Sequence, residues 1–282
     1  MAPLITLLTD FGIRDGYVAS MKGVILSICP QARMVDITHM IAPQDVRAGA
    51  FVLSTVYRDF PLETIHLAVV DPGVGTKRKA LALQAGGYRF VGPDNGLFSW
   101  ILEGEPSWKA RSLENRRYWN PSRAELEEER ASISTTFHGR DIFAPVAAHL
   151  ARCVDLDDLG PSCTPVVAQW STPTAKEEEL LGEVIYVDHF GNGITNITRE
   201  ELETFAPRDQ GERIIRVAGA KGEKTIKMAR TYGDVAPGTS LALIGSSERL
   251  EIAVNQGDAA QTLGLRAGCA VSLRRSPSPR SS

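Results

Sequence analysis

Leu4-Ile5-Thr6-Leu7-Leu8-Thr9-Asp10 opens the chain with a short apolar run that stops at a carboxylate. The segments after this run decide the fold. Tyr17 to Cys29 carries Val18, Met21, Ile25 and Ile28 at helical spacing, and Pro30 ends it. Met34-Val35-Asp36-Ile37 reads as a second strand, Val46 to Tyr57 as a second helix with Pro43 and Asp45 near its start, and Ile65 to Val70 as a third strand ending at Asp71. Strand, helix, strand, helix, strand is the pattern of a mainly parallel sheet covered by helices.

Outward from this core, Lys79 to Gln84 and Tyr88 to Val91 read as a hairpin turned by Gly86-Gly87, and Phe143 to Ala151 as a further helix. Glu125 to Arg130 is a charge run that suits a solvated helix face. Around Pro161, Pro165 and Pro173 periodicity is lost, which suggests a linker. Beyond it come short β-rich runs: Leu181 to Val187, Arg213 to Val217, Thr225 to Met228, Leu241 to Ile244, Leu250 to Val254 and Ala270 to Leu273. The expected organisation is an N-terminal α/β domain with a mainly parallel sheet over 1–163 and a linker over 164–178. After these come a smaller C-terminal β-barrel-like domain over 179–275 and a disordered polar tail over 276–282.

Composition narrows the partners. The 282 residues are 43% hydrophobic and 23% charged, with a formal net charge of −3, so no basic face argues for nucleic acid. No run of ~18 apolar residues suits a membrane span, and the N-terminus lacks a signal-peptide pattern. Four scattered cysteines without a C-x-x-C pair suit buried, reduced thiols. The expectation is a soluble cytoplasmic protein.

Candidate sites each carry two readings. Asp10, where the first strand ends, stands where open α/β sheets bind ligands, or caps a turn. Asp71-Pro72-Gly73-Val74-Gly75-Thr76-Lys77-Arg78 is neither a dinucleotide fingerprint nor a P-loop; it is a ligand loop or a structural turn. His138 is a general base or a satisfied loop histidine. Asp10, Asp36, His39, Asp71 and His138 could form a metal set, but no ligand spacing supports one, so none is expected. Asp188 to Gly193 and Gly245 to Glu248 are polar turns that face a ligand or simply turn the chain.

Taken together the stretches say more. Thr9-Asp10-Phe11-Gly12, Val69 to Thr76, Gly92-Pro93-Asp94-Asn95-Gly96, Phe137-His138-Gly139-Arg140-Asp141 and Ile252 to Gly257 occur in this order. From about Ile5 to Leu273 the chain resembles the S-adenosyl-L-methionine hydroxide adenosyltransferases, also called SAM hydrolases, relatives of the fluorinase and chlorinase enzymes. The resemblance implies hydrolysis of S-adenosyl-L-methionine to adenosine and L-methionine without a cofactor, in a homotrimer with its site at the subunit interface. It puts a water-activating set on Asp71, Arg78 and His138, and a ribose-binding carboxylate on Asp10. It puts substrate contacts on Asp15, Tyr17, Asp188, Asn192, Ser246, Ser247 and Val254; Tyr17 and Ser247 differ in type from the fluorinase residues. The halide-using relatives replace the Asp and His of the set with residues that leave a dry anion pocket, whereas this chain keeps all three polar members. That favours water over halide transfer; a binding protein without turnover and a metal-dependent hydrolase are the further alternatives.

Free hydroxide is too costly to store at such a site. Water, with a pKa of ~15.7, lies ~9 units above a histidine, roughly 12 kcal/mol. The proton should therefore leave as the C–O bond forms. Arg78 beside Asp71 makes that carboxylate a poorer base, so His138 is the expected acceptor, with Asp71 orienting the water.

Overall fold

The computed structural model describes residues 2–120, 133–207 and 213–275. The charge run at Glu125–Arg130 and the expected tail at 276–282 lie outside these residues. The chain divides after Ala168 into two compact units. The stretch expected to link them is shared between the units. In the first, the backbone N–H groups of Val166 and Ala168 donate to Asp94 and Ser99. In the second, Ser171 binds Asn196 and Glu183.

The first unit is built on a six-stranded sheet in the order β2-β1-β3-β5-β4-β6. Its strands are β1 (Leu4–Thr9), β2 (Arg33–Thr38), β3 (Ile65–Val69), β4 (Ala80–Ala85), β5 (Tyr88–Pro93) and β6 (Trp108–Ser112). The first three and β5 pair in parallel, while β4 runs antiparallel to both of its neighbours. Gly86 and Gly87 turn β4 into β5 with φ of 58° and 83°, a conformation that favours glycine. Strand parity selects the two faces. Ile5, Leu7, Ile65, Leu67 and Val69 pack against Met21 and Ile25 of α1 (Tyr17–Ile28) and Val146 and Leu150 of α4 (Ala144–Ala151). On the other face lie α2 (Val46–Val56) and α3 (Ser99–Gly104), and Asp45 caps α2 by accepting from Ala48 N at 2.9 Å.

His66 is on that second face, wholly buried, with Nδ1 2.8 Å from Thr6 Oγ1 and its ring stacked on Phe90. Burial pushes its pKa down to about 4, so it stays neutral and acts as an aromatic core residue.

The second unit is an antiparallel sheet in the order β11-β10-β14-β8-β9-β13-β12, with β7 (Thr174–Ala175) paired to β8. Its main strands are β8 (Glu179–Val187), β9 (Gly193–Thr198), β10 (Arg213–Gly219), β11 (Gly222–Lys227), β12 (Ser240–Ile244), β13 (Arg249–Val254) and β14 (Ala270–Arg275). A bridge between Met228 and Ala242 brings the ends of this order together, so the sheet nearly closes into a barrel. α5 (Arg199–Phe205) and α6 (Ala259–Leu263) complete the unit.

Cys29 and Cys269 are buried as expected; Cys153 is exposed and Cys163 half-buried, which corrects the expectation of four buried thiols. Among the described residues no helix is long and apolar enough to cross a membrane.

Candidate active site

The chain leaves β1 toward β2 on one side and reaches β3 on the other, so the strand order reverses between β1 and β3. Crevices at such switch points, outside the carboxyl ends of the strands, are where open α/β sheets take ligands. Thr9 pairs with Val69 in register, which puts Asp10 and the Val70-Asp71 step side by side at this crevice. Asn95 pins that step: its Nδ2 donates to Val70 O at 2.9 Å.

The loop after β3 folds back on itself. Thr76 Oγ1 donates to Gly73 O and accepts from Arg78 N, returning Arg78 to Asp71. Arg78 then grips the carboxylate with a fork: Nε donates to Oδ1 at 3.0 Å, and Nη2 to Oδ2. Nη1 donates to Lys79 O, and the guanidinium stands over the Phe143 ring. Both side chains are nearly dry, 7% exposed for Arg78 and 5% for Asp71.

The third member arrives from far along the chain. Gly75, at φ 76°, passes so close to Thr135 that a Cβ there would stand 2.5 Å from the Thr135 carbonyl oxygen. This close approach brings the 133–138 stretch against the loop, and His138 Nδ1 lies 3.1 Å from Arg78 Nη2. A guanidinium has only donors, so Nδ1 must be the unprotonated nitrogen and the neutral ring carries its proton on Nε2. Burial first, and Arg78 second, hold the His138 pKa below its ordinary 6.5, against the opposing pull of Asp71 and Asp141. An open cleft of about 470 Å³, walled by Lys77, Lys79, Arg116 and Trp119, reaches both Arg78 and His138.

Protonating Nδ1 would set an N–H against the guanidinium, so the ring that keeps this contact is neutral. Activity that needs this contact should hold from neutrality down past pH 6.5 and fall only as pH drops through the lowered value. A pH–kcat profile whose acid limb has its midpoint above 6.5 contradicts this.

The remaining residues of the first unit gather nearby. Phe11, Tyr17 and Phe137 form a triangle of edge-to-face rings with centroids 5.3–6.0 Å apart, joining the Asp10 loop, the start of α1 and the His138 segment. Tyr17 remains half exposed and Asp15 exposed. Asp10 Oδ2 accepts from Gln44 N at 2.8 Å. The metal set does not assemble: Asp36 is paired with Lys22 and His39, and Asp71 with Arg78. Among the described residues no three His, Cys, Asp or Glu side chains stand together as a metal site.

In the second unit the expected residues form two turns. Asp188 Oδ1 accepts from the N–H groups of Phe190 and Asn192, and Oδ2 from Asn192 Nδ2 at 3.0 Å, so these two residues shape the β8–β9 turn. Ser246 and Ser247 lie in the turn between β12 and β13, Ser246 exposed and Ser247 half-buried. Val254 ends β13 with its side chain in the core, leaving the backbone as its only polar face. The sequence reading missed a carboxyl beside them: Glu251, buried on β13, accepts from Tyr232 OH at 2.6 Å, and burial with nearby Asp188 pushes its pKa up. Its place inside an alternating strand hid it.

Comparison with known proteins agrees with this architecture. The model of the SAM hydroxide adenosyltransferase N-terminal domain matches residues 5–160, and that of the C-terminal domain matches 182–272. A protein of Salinispora tropica named (R)-S-adenosyl-L-methionine hydrolase is 40% identical over 94% of this chain and 95% of its own. One of the same name from Thermus thermophilus is also 40% identical, over 94% and 97%. A fluorinase of Nocardia brasiliensis is 28% identical over 96% and 97%. The crystal structure of an uncharacterized conserved protein from Thermotoga maritima superposes with a TM-score of 0.85, at 38% identity over 96% of this chain and all of the other. The matched domains cover both units in order, and the chain belongs to the SAM hydroxide adenosyltransferase family.

Proposed function

We propose that the chain hydrolyses S-adenosyl-L-methionine by in-line attack of water at ribose C5′. The C5′–S bond breaks with its electron pair going to sulfur, the C5′–O bond forms, and adenosine, L-methionine and one proton result. The observation that carries this reading is the nearly dry Asp71–Arg78 pair, joined by His138, at the switch point and one strand from Asp10. The sulfonium is already a good leaving group, so the protein's task is to hold a water in line; orientation of this kind removes ~7–11 kcal/mol in favourable cases.

The proton goes to Asp71 in this mechanism, not to His138 as the sequence suggested. The His138 lone pair is engaged by Arg78, and its free nitrogen carries a hydrogen. Asp71 keeps lone pairs beyond the two that Arg78 uses. It need not be a strong base, because a water that has begun to bond to carbon is itself strongly acidic. His138 then donates from Nε2 to orient the water and braces Arg78. A carboxylate beside the reacting carbon also repels a halide nucleophile, which supports water.

Asp10 grips the ribose hydroxyls, and Asp15 and Tyr17 line the approach. Asp188, Asn192, Ser246, Ser247 and the Val254 backbone complete the substrate contacts in a cytoplasmic homotrimer with the substrate at the subunit interface. No metal or cofactor takes part. Incubation with S-adenosyl-L-methionine should release adenosine and methionine in equal amounts, undiminished by chelator and with no 5′-chloro nucleoside when chloride is added. Binding without products, loss of activity with chelator, or a chlorinated product would each overturn this assignment.

A further inference from the structure

Asp141 lies three residues beyond His138, is 0% exposed, and touches neither Asp71 nor Arg78 through any hydrogen bond among the described residues. Its carboxylate is fully engaged. Oδ1 accepts from Arg140 Nε at 2.6 Å and Asn120 Nδ2 at 3.3 Å; Oδ2 accepts from Arg140 Nη2 and Ser134 N, both at 2.9 Å. Its backbone joins in: the carbonyl accepts from Asn120 N, and the N–H donates to Phe137 O. One residue thus ties together Asn120, Ser134 and the turn that starts at His138. That turn, Gly139–Phe143, is a π-helix, a rare geometry that gathers at functional sites. Arg140 in turn lies over the Phe137 ring, 5.0 Å from its centroid.

Burying a charge this deeply is unfavourable unless every lone pair is occupied, and an apolar residue would stabilise the fold as well. The device is better explained by what it holds. We propose that Asp141, clamped by Arg140, is a positioning residue that fixes the His138 ring against Arg78. This rests on the role of His138 in the proposed hydrolysis. Asp141 also adds negative charge near the imidazole. Among the described residues the other charged groups acting on that ring are Asp71 and Arg78, with Lys77, Lys79, Glu114 and Arg116 in the adjoining cleft wall.

The test compares Asp141→Asn and Arg140→Gln with the unaltered full-length chain. It follows kcat, KM and the His138 ring titration by NMR, which is tractable because the chain has five histidines. For Asp141→Asn, kcat should fall about tenfold, the most that misplacing His138 can cost if the imidazole only orients, with KM within about twofold. The His138 midpoint should move lower, because a negative charge that raises it is gone. Arg140→Gln should lower kcat about fivefold at unchanged KM. It alters a side chain that is 21% exposed and so serves where Asp141→Asn fails to fold. Variants with kcat within about twofold of wild type and an unmoved His138 titration overturn the inference. His138→Ala separates the two ideas: if it retains full turnover, the role of His138 itself is wrong.

Discussion

Asp71→Asn should reduce turnover by about 10²–10⁴-fold while leaving substrate affinity within a few-fold, the loss expected when a proton acceptor is removed from the transition state. Asparagine keeps the shape and one oxygen for Arg78 but cannot take a proton. The informative contrast is His138→Asn. Its amide oxygen can accept from Arg78 as Nδ1 does, yet it has no basicity near neutral pH. If Asp71 is the acceptor, His138→Asn keeps turnover within roughly tenfold of the parent, because only orientation suffers. Steady-state kinetics on the two variants decide it. A collapse in His138→Asn with a mild effect in Asp71→Asn would return the proton to the imidazole.

Arg78→Met should cost about 3–5 kcal/mol of stability as well as nearly all turnover. Arg78 supplies the fork on Asp71, the bond to Lys79 O and the contact to His138, and the side chains of Arg78 and Asp71 are only a few per cent exposed. Removing it alone strands a buried carboxylate. Removing both charges is a different matter: Asp71→Asn with Arg78→Met should recover most of the lost stability and none of the activity, because two matched neutral groups leave no unpaired charge. Urea unfolding of the three variants measures this. A single Arg78→Met variant as stable as the parent would mean that the Asp71–Arg78 pair is solvated rather than nearly dry.

How much of this could be read from the sequence depends on the distance over which a residue acts. β1, α1, β2, α2 and β3 were legible because each carries its own period and stop signal, as with Pro30 after α1 and Asp45 before α2. β9 was not. Its buried residues include Thr195 and Asn196, and Asn196 accepts from Glu183 N inside the sheet, so a polar stretch that looks like turn is strand. β6 was missed because it is an edge, with Trp108 and Lys109 exposed. At the site, Asp10 and Asp71 were legible as strand-end carboxylates. That His138 meets Arg78 across 60 positions, and that the meeting occupies the histidine lone pair, is set by how Gly75 passes Thr135. Resemblance supplied the residues of the set; the contact between His138 and Arg78 is what moves the proposed proton acceptor to Asp71. Asp141 was read only as a motif member, because a neighbouring Arg–Asp pair looks like any surface pair until its burial is known.

The central claim, water attacking the ribose carbon, is tested most directly by turnover of S-adenosyl-L-methionine in ¹⁸O-water with mass analysis of the nucleoside. The account predicts adenosine bearing a single heavy oxygen at the 5′ position. Adenosine formed without the label, or a nucleoside carrying another group there, would contradict it.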